Sequence, residues 1–172
     1  SSYRRLRVPG GTYFFTVVTA SRGEPLLSDH ADLLRDAYRR TVLELPVVCD
    51  AIVILPDHLH AVWTLPAGDA EFPERWRRIK ARFTHGLGAR LARSRSKERK
   101  REAGVWQRRY WEHLVRDQED YQRHASLLGQ SGAAQVGRGP DGLDAVIHSP
   151  RSSGRASAGR VVREETEGDF GE

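Results

Sequence analysis

Apolar positions along the chain fall into stretches of period two and stretches of helical period. Thr12 to Ala20 is β-branched and aromatic almost throughout, which predicts a strand, set off upstream by the Pro9-Gly10-Gly11 turn. Leu33, Leu34, Ala37, Tyr38, Thr41, Val42 and Leu45 then recur at helical spacing. Ser28 is the expected N-cap of that helix, Asp29 and Asp32 lie in its first turn, and Pro46 stops it. Ala51 to Pro66 reads as two apolar strands bent around Pro56-Asp57, followed by a polar turn to Ala70. Trp76, Ile79, Phe83 and Leu87 form the apolar stripe of a second helix, with Pro73 suited to its first position. Val105 to Val115 alternates imperfectly and is expected to give an edge strand with its turn. Asp117 followed by Asp120 resembles a capping box opening a helix through Tyr121, His124 and Leu127 or Leu128.

The resulting order, β-α-β-β-α-β-α, suits an α+β fold: a ferredoxin-like antiparallel sheet of the split βαβ type with helices on one face. After Gly129 no apolar period survives, and Gly, Ser, Arg, Pro and Ala dominate. The expected organisation is one domain over residues 1–128 and a disordered tail over 129–172.

Charge sharpens this picture. The net charge is +5, but residues 75–109 hold 14 Lys/Arg against two Glu, so that segment alone carries +12. Such clustering points to a polyanionic partner. The part of it from Ala92 to Ala103 is too charged to pack and is expected to be a mobile loop. The single cysteine, Cys49, excludes an intramolecular disulfide and fits a reducing compartment. No apolar run approaches the length of a membrane span, so the expectation is a cytoplasmic, nucleoid-associated protein without membrane partners.

Candidate chemistry centres on His58 and His60. Side chains alternate along a strand, so the two imidazoles share one face about 7 Å apart and can converge on one metal ion.

The wording of several segments is similar to one family. Tyr3-Arg4-Arg5, Gly10-Gly11-Thr12-Tyr13-Phe14-Phe15-Thr16, Leu55-Pro56-Asp57-His58-Leu59-His60, Trp63-Thr64-Leu65-Pro66, Arg75-Trp76, Ile79-Lys80, Phe83-Thr84, Trp106-Gln107 and Tyr110-Trp111-Glu112-His113 resemble the REP-associated tyrosine transposases. These are single-tyrosine members of the HUH class, named for a His-hydrophobic-His motif. The resemblance runs from Tyr3 to His124. It implies a ferredoxin-like core that acts on single-stranded DNA, typically hairpins from palindromic repeats. It also implies a divalent ion, Mg²⁺ or Mn²⁺, held by His58 and His60, and a helix-borne tyrosine that attacks a phosphodiester. Water, phosphate oxygens or a carboxylate (Asp57 or Glu112) would complete the metal shell, since Mg²⁺ prefers oxygen. Arg4, Arg5, Arg75, Arg78, Lys80, Arg82, Arg108 and Arg109 are the expected DNA contacts. Oligomeric state is not readable.

One departure matters. The family tyrosine lies three residues after the histidine matching His124 and is followed by Asn-Pro-Val; here that position is Leu127, and no Asn-Pro-Val follows. Tyr121 and Tyr110 are the alternative nucleophiles. Tyr121 stands six positions earlier, about 600° around the helix, and so points about 120° away from residue 127. Read in the next frame, degenerate codons for Gln130 to Ala133 can encode Asn-Pro-Val, and those for 142–151 can encode a segment similar to the family's distal motif. A reading frame that slips near 125–127 is therefore expected, which the nucleotide sequence decides. The competing reading is a DNA-binding relic that keeps fold and metal site without the nucleophile. An RNA-binding sheet is disfavoured because its strands lack the aromatic RNP motif.

Overall fold

The computed structural model describes residues 6–93 and 104–130 of the 172. Its elements are β1 (Thr12–Val18), α1 (Leu26–Asp29), α2 (Ala31–Glu44), β2 (Val48–Ile54), β3 (His58–Thr64), α3 (Phe72–Arg93), β4 (Trp111–Leu114) and α4 (Gln118–Gln130). The strands form one antiparallel sheet in the order β2-β3-β1-β4. That is the split βαβ arrangement expected from the element order.

Alternation divides β1 between the two faces. Tyr13, Phe15 and Val17 join Leu59, Ala61 and Trp63 of β3 under α2 and α3, in a core that also takes Leu34, Tyr38, Trp76, Ile79 and Phe83. Trp63 and Trp76 stack within it at 4.2 Å and 9°. The Tyr13 hydroxyl donates to the Leu6 carbonyl and accepts from the Val8 N–H, which ties the segment before β1 to the core. Gly10 takes φ +70° in the intervening turn, a conformation that glycine adopts without a Cβ clash.

Phe14, Val53, Val62 and Leu128 form a smaller cluster on the opposite face, where α4 lies. The expectation of helices on one face holds for α2 and α3, and α4 adds partial cover to the other. Asp117 accepts the Asp120 N–H at 2.8 Å and so caps α4 as expected, but Asp120 turns its own carboxylate to the Arg116 N–H instead of closing the box.

Ser28 is not an N-cap. Burial of Leu26 and Leu27 starts the helical segment earlier, at α1, and the chain breaks at His30 before α2 begins. The Ser28 hydroxyl donates to the Pro25 carbonyl. The expected strand from Val105 is also shorter: Trp106 makes one isolated bridge to Thr19, and regular pairing begins only at Trp111. Within the expected loop from Ala92, α3 continues through Arg93. The rest of that loop, Arg4, Arg5 and residues 131–172 lie outside the described residues.

Candidate functional site

β3 begins directly on the motif, and its alternation puts Leu59 and Ala61 into the main core while His58 and His60 face α4's side of the sheet. The two rings stand 5.1 Å apart at 80°. Each is held through Nδ1. His58 Nδ1 lies 2.6 Å from Asp57 Oδ1, and His60 Nδ1 lies 2.9 Å from the Thr16 hydroxyl across the β1–β3 pairing. With Nδ1 engaged in both rings, Nε2 is the nitrogen left for a ligand, with its lone pair available in the tautomer whose Nδ1–H donates, an arrangement common among metal-binding histidines.

Burial, and then the charge of His58, depress the His60 pKa to about 4, partly opposed by the Phe15 backbone. His60 is therefore neutral at physiological pH, the form that coordinates a metal. Asp57 is buried and anchored. Burial raises its pKa, but the Gly23 N–H, His58 and Arg22 together outweigh this and hold the carboxyl below its usual value. Asp57 thus holds His58 through one carboxylate oxygen, while the other meets the Gly23 N–H and Arg22. Glu112 shares the face of Leu114, which packs on the main core, so it points away from the histidine face.

A second group shares the His58–His60 face. His113, Asp120 and His124 bring their ligand atoms within 4.8 Å of one another and could hold a metal ion. Asp120 is buried and already accepts hydrogen bonds from His113 Nε2 at 2.9 Å and the Arg116 N–H at 3.0 Å, with His124 Nδ1 at 3.2 Å. The His113 hydrogen bond, foremost, lowers the Asp120 pKa to about 2. The His113 and His124 rings stack at 4.4 Å and 23°. Sequence reading missed this group because it joins β4 to α4 across a cap; the spacing of His113, Asp120 and His124 shows it only once Asp120 is known to face back.

The tyrosine candidates separate cleanly. Tyr110 packs beside Phe15 and Trp76 in the main core, on the opposite side of the sheet from His58 and His60, and this position corrects its candidacy as nucleophile. Tyr121 is on the histidine side but partly buried against the Phe14 cluster rather than solvent-exposed. It shares the inward stripe of α4 with His124 and with buried Leu128, three and seven residues on. Leu127 lies off that stripe and is 50% exposed.

The basic residues also divide. Arg75 is 1% exposed, its guanidinium bound to Asp69 and to the Leu45 and Pro46 carbonyls, so it is a structural residue and not a DNA contact. Arg78 and Arg82 pair with Glu44 on the α2–α3 seam, behind the sheet as seen from His58. Lys80 donates to the Gln107 carbonyl and sits over the Trp106 and Tyr110 rings. Arg108 and Arg109 are exposed just before β4.

Among known proteins, the chain is 39% identical over 128 residues to the REP-associated tyrosine transposase of Escherichia coli, covering 74% of this chain and 70% of that one. The chain belongs to the REP-associated tyrosine transposase family. A Haemophilus influenzae protein provisionally given the same family name is 40% identical over 129 residues, covering 74% and 73%. Among solved structures, a REP-associated tyrosine transposase bound to a REP hairpin superimposes with a TM-score of 0.65 at 40% identity, covering 74% of this chain and 70% of that one. A Deinococcus radiodurans protein provisionally described as a transposase shares the fold at 18% identity and a TM-score of 0.50, covering 76% and 98%. No family model matches the chain. Among the described residues, no helix is long and apolar enough to cross a membrane.

Proposed function

We propose that this transposase-family chain binds hairpin or single-stranded DNA across the His58–His60 face, holds a divalent ion there, and as written lacks a positioned nucleophile. The observation that carries this reading is the pair of imidazoles fixed through Nδ1 on one face, with leucine at position 127 on the exposed flank of α4. Kinship to a transposase bound to a REP hairpin supports the choice of DNA.

His58 and His60 would hold the ion, with Mn²⁺ the better match to two nitrogen ligands and Mg²⁺ needing more oxygen. A bound ion supplies polarisation of the scissile phosphate and offsets the charge that accumulates there during displacement. Asp57 and Thr16 orient the two rings. Arg108 and Arg109 attract the backbone, a contribution that weakens with salt. In an active relative of this design, a tyrosine oxygen attacks phosphorus, forms a phosphotyrosine and releases a 3′-hydroxyl that can later rejoin the strand. Leu127 has no atom for this step.

A second reading, cleavage by Tyr121, is favoured by its place on the histidine side of the sheet. Tyr121 already faces that side, but it is packed against the Phe14 cluster, so its use requires release from that packing rather than a turn of α4. A labelled hairpin oligonucleotide with Mg²⁺ or Mn²⁺ separates the readings. The expected result is a shifted band on a native gel and no covalent adduct on a denaturing gel. An adduct that disappears in Tyr121→Phe would establish the second reading, and a repaired frame restoring tyrosine and Asn-Pro-Val should gain an adduct.

A further inference from the structure

We infer that Trp111 is a stacking platform for an unpaired nucleobase of a DNA strand lying across the His58–His60 face, an inference that rests on the DNA-binding function proposed for the chain. Trp111 is 51% exposed, unlike the buried Trp63 and Trp76. It opens the edge strand β4, and the register fixes its distance from the histidines: Thr16 of β1 pairs with Trp111 on one side and with His60 on the other. Trp111 and His60 therefore stand two strand spacings apart on the same face, about 10 Å. A strand held at His60 passes over the indole.

The ring is also held in place. Trp111 lies parallel to His113 at 5.7 Å and 6°, and His113 in turn stacks on His124. Phe14 meets the indole edge-on at 5.8 Å, and Asp120 clamps His113 from below. An aromatic ring set in this pile loses little freedom when a flat partner is added. The exposed apolar surface is one planar ring rather than a broad patch, which suits a nucleobase better than a protein surface. Exposed Arg108 and Arg109 precede the ring and exposed Arg116 follows it, supplying positive charge for the adjoining phosphates. Stacking of this kind uses the face that every base presents, so the platform adds affinity for an unpaired flank of a hairpin.

The test compares two labelled hairpins by fluorescence anisotropy, one with an unpaired 5′ flank and one blunt, using the full chain. Trp111→Ala should bind the flanked hairpin about tenfold more weakly or worse while binding the blunt one as wild type does. In addition, unlabelled flanked hairpin should quench the tryptophan emission of the wild type and leave that of Trp111→Phe, which keeps a ring there, unchanged. Equal binding of both hairpins by wild type and Trp111→Ala overturns the inference, as does an equal loss for both. Should Trp111→Ala melt at a lower temperature, the Trp111→Phe experiment decides, and quenching that persists there overturns the inference. A wild-type chain that binds neither hairpin refutes the proposed DNA function itself.

Discussion

One face of the sheet is sealed by α2 and α3 over a large core of aromatic and aliphatic side chains, whereas the apolar cluster buried on the other, among the described residues, is Phe14, Val53, Val62 and Leu128. On the sealed face, polar groups serve the packing: Arg75 fastens the end of α2 to the start of α3. On the open face, polar groups are held but not used up, with His58 and His60 anchored through one ring nitrogen each and Trp111 stacked on His113 while half exposed. The same strands build both faces, so alternation along β1 and β3 separates stability from chemistry residue by residue. A covered face tolerates little change, and an open face can lose its function while the fold survives.

The largest expected effect breaks the sealed face. Trp76→Ala removes a fully buried indole stacked on Trp63 and should cost about 3–5 kcal/mol of stability in denaturant titration. A loss below about 1 kcal/mol would show that the two faces do not differ in this way. Arg75→Ala should come next, at about 2–4 kcal/mol, because it leaves the Leu45 and Pro46 carbonyls and Asp69 without their donor. It should not alter the salt dependence of DNA binding. Neutralising Arg108 and Arg109 together should do the reverse, lowering the slope of log affinity against log salt by about 1–2 with stability unchanged.

These contrasts also mark how far sequence alone reaches. The strands from Thr12 and Ala51, the helix of Trp76 and Ile79, and the Asp117 cap were legible because composition, period and capping agree there. Arg75 was not, since a basic residue within a basic run looks exposed until Leu45, Pro46 and Asp69 are brought around it. Ser28 misled because local capping preference competes with the burial of Leu26 and Leu27, and burial wins. The histidine pair was legible from strand alternation, but its Thr16 partner required the β1–β3 register. Tyr110 and Tyr121 could be sorted only once Phe15 and Phe14 were known to point to opposite faces.

His58→Ala and His60→Ala sharpen the comparison from the open side. Each should abolish Mn²⁺ binding at this face, measured by calorimetric titration, while changing stability by only about 1 kcal/mol or less. Unchanged Mn²⁺ affinity in both variants would remove the metal from the proposed function, and would turn attention to His113, Asp120 and His124.

The smallest expected effect is a pH dependence carried by His60. Its pKa in the folded chain is depressed to about 4, chiefly by burial, while in the unfolded chain it returns to near 6.5. Between those values the unfolded chain binds the proton and the folded chain does not, so acidification favours unfolding. The stability that neutral His60 allows is thus complete above about pH 6.5 and drains away as pH falls toward 4. Carboxylates such as Asp57 and Asp120, whose pKa values are held low, lose their contributions at still lower pH, as protons titrate them. His60→Gln cannot take up that proton, so its loss of stability between pH 6.5 and 4.5 should be shallower than that of the wild type in parallel denaturant melts. Identical slopes would mean that the His60 ring is better solvated than its place between Thr16, Phe14 and His58 implies.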